Sequence, residues 1–351
     1  MPLLPFDSLK TETRAVLRKE AEARQALAEL KGFAPVIPNQ NILVNAIALR
    51  EAKESSAIEN IITTQEDLYK DLAATSKIFD PSTKEVLNYR RAIYNGYDIV
   101  KKQKLLRLDS IVKIQEIIVG NNAGIRRLPG TSLVNETTKK VVYTPPQNYG
   151  EIMDLLDNFC RNFNDTEHSL YRMALLHYQF ECIHPFYDGN GRMGRILNIL
   201  YLLLKNYLDT PILYLSSYII KNKNAYYKLL QETRKSRNYE PWILYMLSGI
   251  EETSKQTLAK VREIKGFLEA TLEKVRKNCR KIYSKELVET IFENPYSKID
   301  FLVKKLNINR KTASKYLKEL ETEKILSRMP VGKEVLYINT SLMKILKNDE
   351  V

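Results

Sequence analysis

The run His184-Pro-Phe-Tyr-Asp188-Gly-Asn-Gly-Arg192-Met-Gly-Arg195 gathers a titratable base, a carboxylate, three glycines and two guanidinium groups within twelve residues. Gly189 and Gly191, on either side of Asn190, allow a tight turn and leave backbone N–H groups uncovered. An apolar helix follows at once, so its unpaired N–H groups and positive dipole end face the same spot. A glycine-rich loop entering a helix N-terminus is an anion site. Arg192 and Arg195, three apart on that helix, can hold two parts of one polyphosphate. Asp188 adds a hard oxygen where a Mg²⁺ on those phosphates would need one. His184, one of only three histidines, can take a proton near neutral pH. Taken singly, each element has an ordinary explanation: His-Pro can end a helix, and Asp-Gly-Asn-Gly is a good turn. All of them in one run ahead of an apolar helix favour chemistry. The chain has no Gly-x-x-x-x-Gly-Lys-Ser/Thr loop, so nucleotide binding by a P-loop is excluded.

The elements that must position this run are mainly helical. Region 1–110 reads as helices joined by polar turns. One spans 11–31 and is closed by Gly32 and Pro35. A second enters at the turn 38–41, carries Ile42, Leu43, Ala46, Ile47 and Leu49 at helical spacing, and runs toward Ser55–Asn60. Region 111–250 opens with a helix at 111–119, then an irregular stretch. In that stretch 137–144 suits a short β-hairpin, because β-branched residues flank Lys139-Lys140. Helices follow at 149–163, 170–181, 190–206 and 224–235, and from 242 onward. Region 251–351 starts with a long connector helix over 248–281. Helices at 285–292, 299–306 and 310–323 come next, then a hairpin of 325–329 and 334–338 around Pro330-Val-Gly-Lys333.

With 351 residues, 44% hydrophobic and 28% charged, the composition is that of a globular protein with room for two or three cores. No apolar run reaches the roughly 20 residues that span a bilayer. The N-terminus lacks the basic start and apolar core of a signal peptide. Cys160, Cys182 and Cys279 have no paired spacing, which suggests neither zinc nor disulfides and fits a cytoplasmic protein. The net charge is +13, and +9 of it falls from Lys255 onward, where 22 Lys and Arg face 13 Asp and Glu. That excess points to a polyanionic partner for the last region or to a Lys-rich solvated surface.

Residues 184–195 resemble the signature of the Fic family, His-x-Phe-x-Asp/Glu-Gly-Asn-Gly-Arg-x-x-Arg, at every specified position. The resemblance extends from about Leu3 to Leu247 and takes in Thr144-Pro-Pro146. It implies a helical core with a small β-hairpin flap, and nucleotidyl transfer from Mg-ATP to protein Ser, Thr or Tyr hydroxyls. His184 would be the general base, Asp188 the Mg²⁺ ligand, and Gly189, Asn190 and Gly191 the anion hole. Arg192 and Arg195, with Gly194 between them, would bind the outer phosphates, and Asn198 is a further nucleotide contact one turn on. Lys140, Val141, Val142 and Tyr143 would form the flap, pairing with the target as a strand. Tyr226 and Tyr227 match a tyrosine pair that borders the adenine; core packing is the competing reading for one of them. Some relatives have an Asn seven residues beyond that pair, where this chain has Arg234. A kinase-like branch has Lys at the third position of Gly-Asn-Gly, so Gly191 favours AMP transfer. Relatives with similar signatures also use UMP and other donors.

Ser55-Ser-Ala-Ile-Glu59-Asn60 resembles the family's inhibitory pattern, Ser/Thr-x-x-x-Glu-Gly/Asn. It implies that Glu59 competes with a phosphate for Arg195, since one guanidinium cannot serve both at full strength. Residues 299–323 read as helix-turn-helix and the following hairpin as a wing, with Arg310, Lys311, Ser314, Lys315 and Lys318 on the second helix. Such a module binds DNA, docks protein or forms a homodimer. The expected partners are therefore ATP, a target protein and, at the C-terminal module, DNA or a second copy of the chain, with no membrane. Two other readings stay open: a DNA-binding regulator whose Fic core senses nucleotide, and an enzyme that removes AMP with Glu59 orienting water.

Overall fold

Capping residues set where most of the helices begin. The computed structural model describes residues 3–4, 11–73, 80–134, 139–331 and 334–347. Thr13 Oγ1 accepts from Val16 N at 3.3 Å and starts α1, Arg14–Phe33, three residues later than expected. The helix runs through Gly32, which keeps a negative φ, and gives way to a 3₁₀ turn at Ala34–Val36. Asn39 caps α2, Gln40–Ile58. This helix is buried on most sides through Ile42, Leu43, Ile47, Leu49 and Ala52, as a centrally packed helix must be. α3 spans Gln65–Ala73, and α4 spans Pro81–Gln103, with Asp80 as cap and Pro81 preset in the first turn. α5, Leu108–Val119, ends on Gly120 at φ 74°.

The flap hairpin pairs β1, Leu133–Val134, with β2, Val141–Tyr143. Its first strand therefore precedes the segment expected at 137–144, and Thr137 and Thr138 lie outside the described residues. The central helices are α6 (Tyr149–Asn164), α7 (Leu170–Ile183), α8 (Asn190–Leu204), α9 (Leu215–Lys221) and α10 (Lys223–Ser236). The expected connector is longer than its charged part. α11 runs unbroken over Glu240–Asn278, 39 residues, about 58 Å at helical rise. Its first turns hold the core and its charged remainder packs along α1. Trp242, fully buried on α11, donates Nε1–H to Ala174 O at 2.7 Å and stacks on His177 with ring centres 5.9 Å apart.

The C-terminal body comprises α12 (Lys285–Glu293), β3 (Tyr296–Ser297), α13 (Ile299–Leu306), α14 (Arg310–Thr322), β4 (Ser327–Val331), β5 (Glu334–Ile338) and α15 (Thr340–Lys347). β5 is the middle strand, antiparallel to both β3 and β4, which gives the topology of a winged helix-turn-helix. The wing begins later than the sequence suggests because Ile325 and Leu326 are drawn into the core. Pro330 lies within β4 opposite Val335, and an edge strand tolerates it. This body is bolted to the start of α2. The Glu293 carboxylate accepts from Asn39 Nδ2 at 2.7 Å and Asn41 Nδ2 at 3.4 Å, and its carbonyl accepts from Asn45 Nδ2 at 3.1 Å. Tyr69 stacks on Tyr296 beside this junction, and Lys347 pairs with Glu66. Among the described residues no helix is long and apolar enough to cross a membrane.

Candidate active site

α7 stops because His184 takes the left-handed conformation, φ 49°, while its N–H still bonds Phe180 O at 3.0 Å. The loop that follows is closed by Asn190: its Oδ1 accepts from Phe186 N and its Nδ2 donates to Phe186 O, both at 2.8 Å. Phe186 is fully buried and bridges Ile125. Asn190 therefore braces the loop with its side chain instead of facing a ligand, and only its backbone is available to an anion. Gly189, at φ 77°, forms the α8 cap, where an added Cβ would lie 2.9 Å from Val119 Cγ1. Gln115 Nε2 holds the loop from outside through Asp188 O at 3.0 Å.

Arg126, on the strand-like stretch beside this loop, is fully buried. It donates Nε–H to His184 O at 2.8 Å and Nη2–H to Ile183 O at 3.2 Å and to Pro146 O. One guanidinium thus ties the histidine backbone to the flap's C-terminal stem. The His184 ring is half-buried with an unpartnered Nδ1. Burial, then the Arg126 and Arg234 charges, push its pKa down to about 4, so the imidazole is neutral at pH 7 and free to accept a proton. Arg234 lies 3.9 Å over the Tyr143 ring and donates Nε–H to Cys182 Sγ at 3.2 Å; the Tyr143 hydroxyl donates to Cys182 O at 2.9 Å. Tyr143 is anchored this way, while Lys140, Val141 and Val142 stay exposed along the outer strand.

Arg195, on α8, is buried and tied to the end of α2. Its Nε donates to Ser55 Oγ at 2.7 Å, and its Nη2 donates to Ser55 O at 3.0 Å and to Glu59 Oε1 at 2.8 Å. Burial pushes the Glu59 carboxyl up, but Arg195 outweighs it and holds the group below the usual carboxylate range. The Glu59 carboxylate lies against Gly191, where a Cβ would collide with it and come within 3.0 Å of Arg195 Nη1. A carboxylate thus occupies the first turn of α8. Arg192 is also engaged, with Glu85 at 2.8 Å and Asp188 at 3.3 Å, yet Asp188 keeps 72% of its side chain exposed.

Two of the expected nucleotide contacts turn inward instead. Asn198 Nδ2 lies 3.2 Å from His177 Nδ1, and the Tyr226 hydroxyl lies 2.8 Å from His177 Nε2, all three side chains being buried. Tyr227 alone of the pair reaches the surface. Gly194 lies in this same cluster, where an added Cβ would sit 2.6 Å from Glu181 Oε1 and 3.2 Å from His177 Cε1. Residues missed from sequence are Arg126, Glu85, Gln115 and Glu181. Glu181 has an unpartnered buried Oε1, and burial raises its pKa to about 7. Local spacing singles out none of the four. The nearest hint is Gly124-Ile-Arg126, a lone Arg between apolar and turn residues.

Three family models match in consecutive order. They are the Fic/DOC family N-terminal domain over 17–98, the Fic/DOC family over 105–202, and the C-terminal domain of SoFic-like protein adenylyltransferases over 267–342. The chain is 23% identical over 225 residues to the protein adenylyltransferase Fic of Aedes aegypti, covering 59% of this chain and 43% of that one. It thus spans less than half the length of that relative. A Fic family protein from Desulfovibrio desulfuricans has a similar fold, with TM-score 0.59 and 20% identity, covering 93% of this chain and 96% of that one. A Fic-domain signalling protein from Bacteroides thetaiotaomicron matches at TM-score 0.55 and 18% identity, covering 68% of this chain and 95% of that one. Consecutive matches over more than half of the sequence, on a shared fold, place this chain in the Fic family.

Proposed function

We propose that the chain is a protein adenylyltransferase that transfers AMP from Mg-ATP to a Ser, Thr or Tyr hydroxyl, its own included, and that Glu59 holds it nearly idle. The observation that carries this reading is the Glu59–Arg195 pair, 2.8 Å long and seated against Gly191. A carboxylate there takes the guanidinium and the helix N-terminus that a phosphate would use. The family membership and the mosquito relative's activity support the reaction class.

With Glu59 withdrawn, Arg195 and the amides of the α8 first turn would receive the outer phosphates, and Arg192 would exchange Glu85 for phosphate. Mg²⁺ fits the donor set. Asp188 is an exposed carboxylate beside the cradle, and among the described residues no cluster of three or more His, Cys, Asp or Glu could hold a metal alone. One protein carboxylate plus phosphate oxygens is a usual Mg²⁺ arrangement, and the ion would neutralise phosphate charge there. A target segment pairing with β2 would bring its hydroxyl toward His184. The hydroxyl oxygen attacks the α-phosphorus, its proton passes to neutral His184, and the bond to pyrophosphate breaks. The product is a phosphodiester-linked AMP. Arg234, on Tyr143, would set the flap stem and border the nucleotide, and Tyr227 is the exposed member of the pair left to meet the base.

Intact-mass analysis of wild type, Glu59→Gly and Glu59→Gly/His184→Ala after incubation with Mg-ATP tests the proposal. One added AMP in Glu59→Gly, lost in the double variant, is expected. No adduct in any variant, with ATP still bound, would overturn it and favour a nucleotide-sensing role.

A further inference from the structure

The outer face of α14 is built for a polyanion. Successive helical residues are 100° apart, which puts Lys311, Ser314, Lys315, Lys318 and Thr322 within about 100° of one another. Ala313, Leu317 and Leu320 are buried on the opposite side. No acidic residue falls in that stripe; Glu319 and Glu321 flank it only in its C-terminal half. The three lysines are exposed in the full chain, so neither the catalytic core nor the wing covers them.

Part of the positive charge of this body is held by its own carboxylates. Arg310 pairs with Asp300, Lys305 with Glu293 at 2.9 Å, Lys298 with Glu334 at 3.8 Å and Lys285 with Glu289 at 3.6 Å. Lys311, Lys315 and Lys318 have no ion pair among the described residues. Lys304, Lys324 and Lys344 are likewise without an ion pair among the described residues; Lys311, Lys315 and Lys318 stand out because all three share one exposed face of a single helix.

We infer that this face binds duplex DNA, with α14 lying in the major groove and the β4–β5 wing against the backbone. α14 has 13 residues, about 20 Å of helix, and a helix fits a groove about 12 Å wide. The charge is concentrated toward its N-terminal half, the part of a recognition helix that meets base edges. Exposed Arg328 on β4 supplies a cation on the wing. An acidic membrane suits the face poorly, because no exposed large hydrophobic side chain accompanies the lysines to enter a bilayer. An acidic peptide would need a groove, and the stripe lies on the convex side of a helix. This surface lies apart from the nucleotide site, and the inference does not depend on adenylyl transfer.

The test is fluorescence anisotropy of the full chain with a labelled mixed-sequence duplex of roughly two helical turns, at about 50 to 200 mM salt. The full chain should bind with a Kd of roughly 10⁻⁶ to 10⁻⁴ M and a log–log salt slope of about −3, one phosphate per lysine. Lys311→Glu/Lys315→Glu should weaken binding about tenfold or more and flatten the slope by about 2. Lys228→Glu, an exposed lysine on α10, should change nothing. Circular dichroism melting should be unaltered in both variants, since all three side chains are exposed. Absent binding at the lowest salt, or equal binding by the double variant, overturns the inference. So does equal capture by phosphatidylserine vesicles that is lost with the same substitutions, which would make the face a general anionic-surface binder.

Discussion

Glu59 Oε1 and Arg195 Nη2 meet at 2.8 Å across the junction between the end of α2 and the first turns of α8, with Gly191 beneath the carboxylate. Arg195 is 2% exposed and Glu59 36% exposed, so the pair is an insertion of a surface-accessible anion onto a buried cation. The cation cannot leave without breaking its two bonds to Ser55, whereas the anion can swing out. Such asymmetry makes Glu59 the movable partner, and Glu59→Gly should raise self-modification by roughly ten- to a hundredfold. Quantifying the AMP adduct over time checks this.

Ser55→Ala removes the acceptor of the Arg195 Nε–H and leaves that buried donor unpaired. A loss of about 1–3 kcal/mol in unfolding free energy is expected in a urea titration. An unchanged midpoint would mean that Arg195 finds another acceptor.

Arg126→Met removes three carbonyl contacts and the charge that most lowers the His184 pKa. Stability should drop by about 2–4 kcal/mol. In the Glu59→Gly background the acid limb of the pH–rate profile should also move up. Arg126→Lys, keeping the charge but not the forked geometry, should restore the limb more than the stability.

The pH dependence of Glu59→Gly follows from the His184 pKa of about 4, below the free imidazole value. A neutral base is present in the free enzyme above that value, so kcat/KM should hold on acidification through pH 6 and fall only toward about 4. The stability sign is opposite to that of a salt-bridged histidine. The unfolded chain binds the proton first, so His184 draws stability away as pH falls from about 6.5 toward 4. A rate profile bending near 6.5 would show that the buried, cationic surroundings do not depress the His184 imidazole.

Glu293→Ala takes away the carboxylate shared by Asn39, Asn41 and Lys305. Faster amide exchange in the first two turns of α2, with a loss of about 1–3 kcal/mol, is expected. Exchange unchanged there would mean that the apolar packing of α2 alone fixes the helix.

The local sequence was enough to identify the glycine-rich loop, the helix it enters and the pairing of Glu59 with Arg195. Glycines at 189 and 191 with arginines at 192 and 195 act through neighbours on one turn, and Ser55 and Glu59 share one helix end. The helical class and the wing were legible because capping residues and apolar periodicity act over a few residues. What lay beyond that reach came out differently. Asn190 spends its amide on Phe186, and Tyr226 and Asn198 are drawn onto His177, because burying a polar group demands a partner and the nearest partners belong to other helices. Arg126 serves three carbonyls contributed by two segments far from it in sequence, and β1 pairs ahead of its expected place. The residue types pointed to the chemistry proposed for this site. Only packing decided which side chains face the ligand and which close the loop, since a side chain's partner depends on chain segments that spacing along the sequence does not relate.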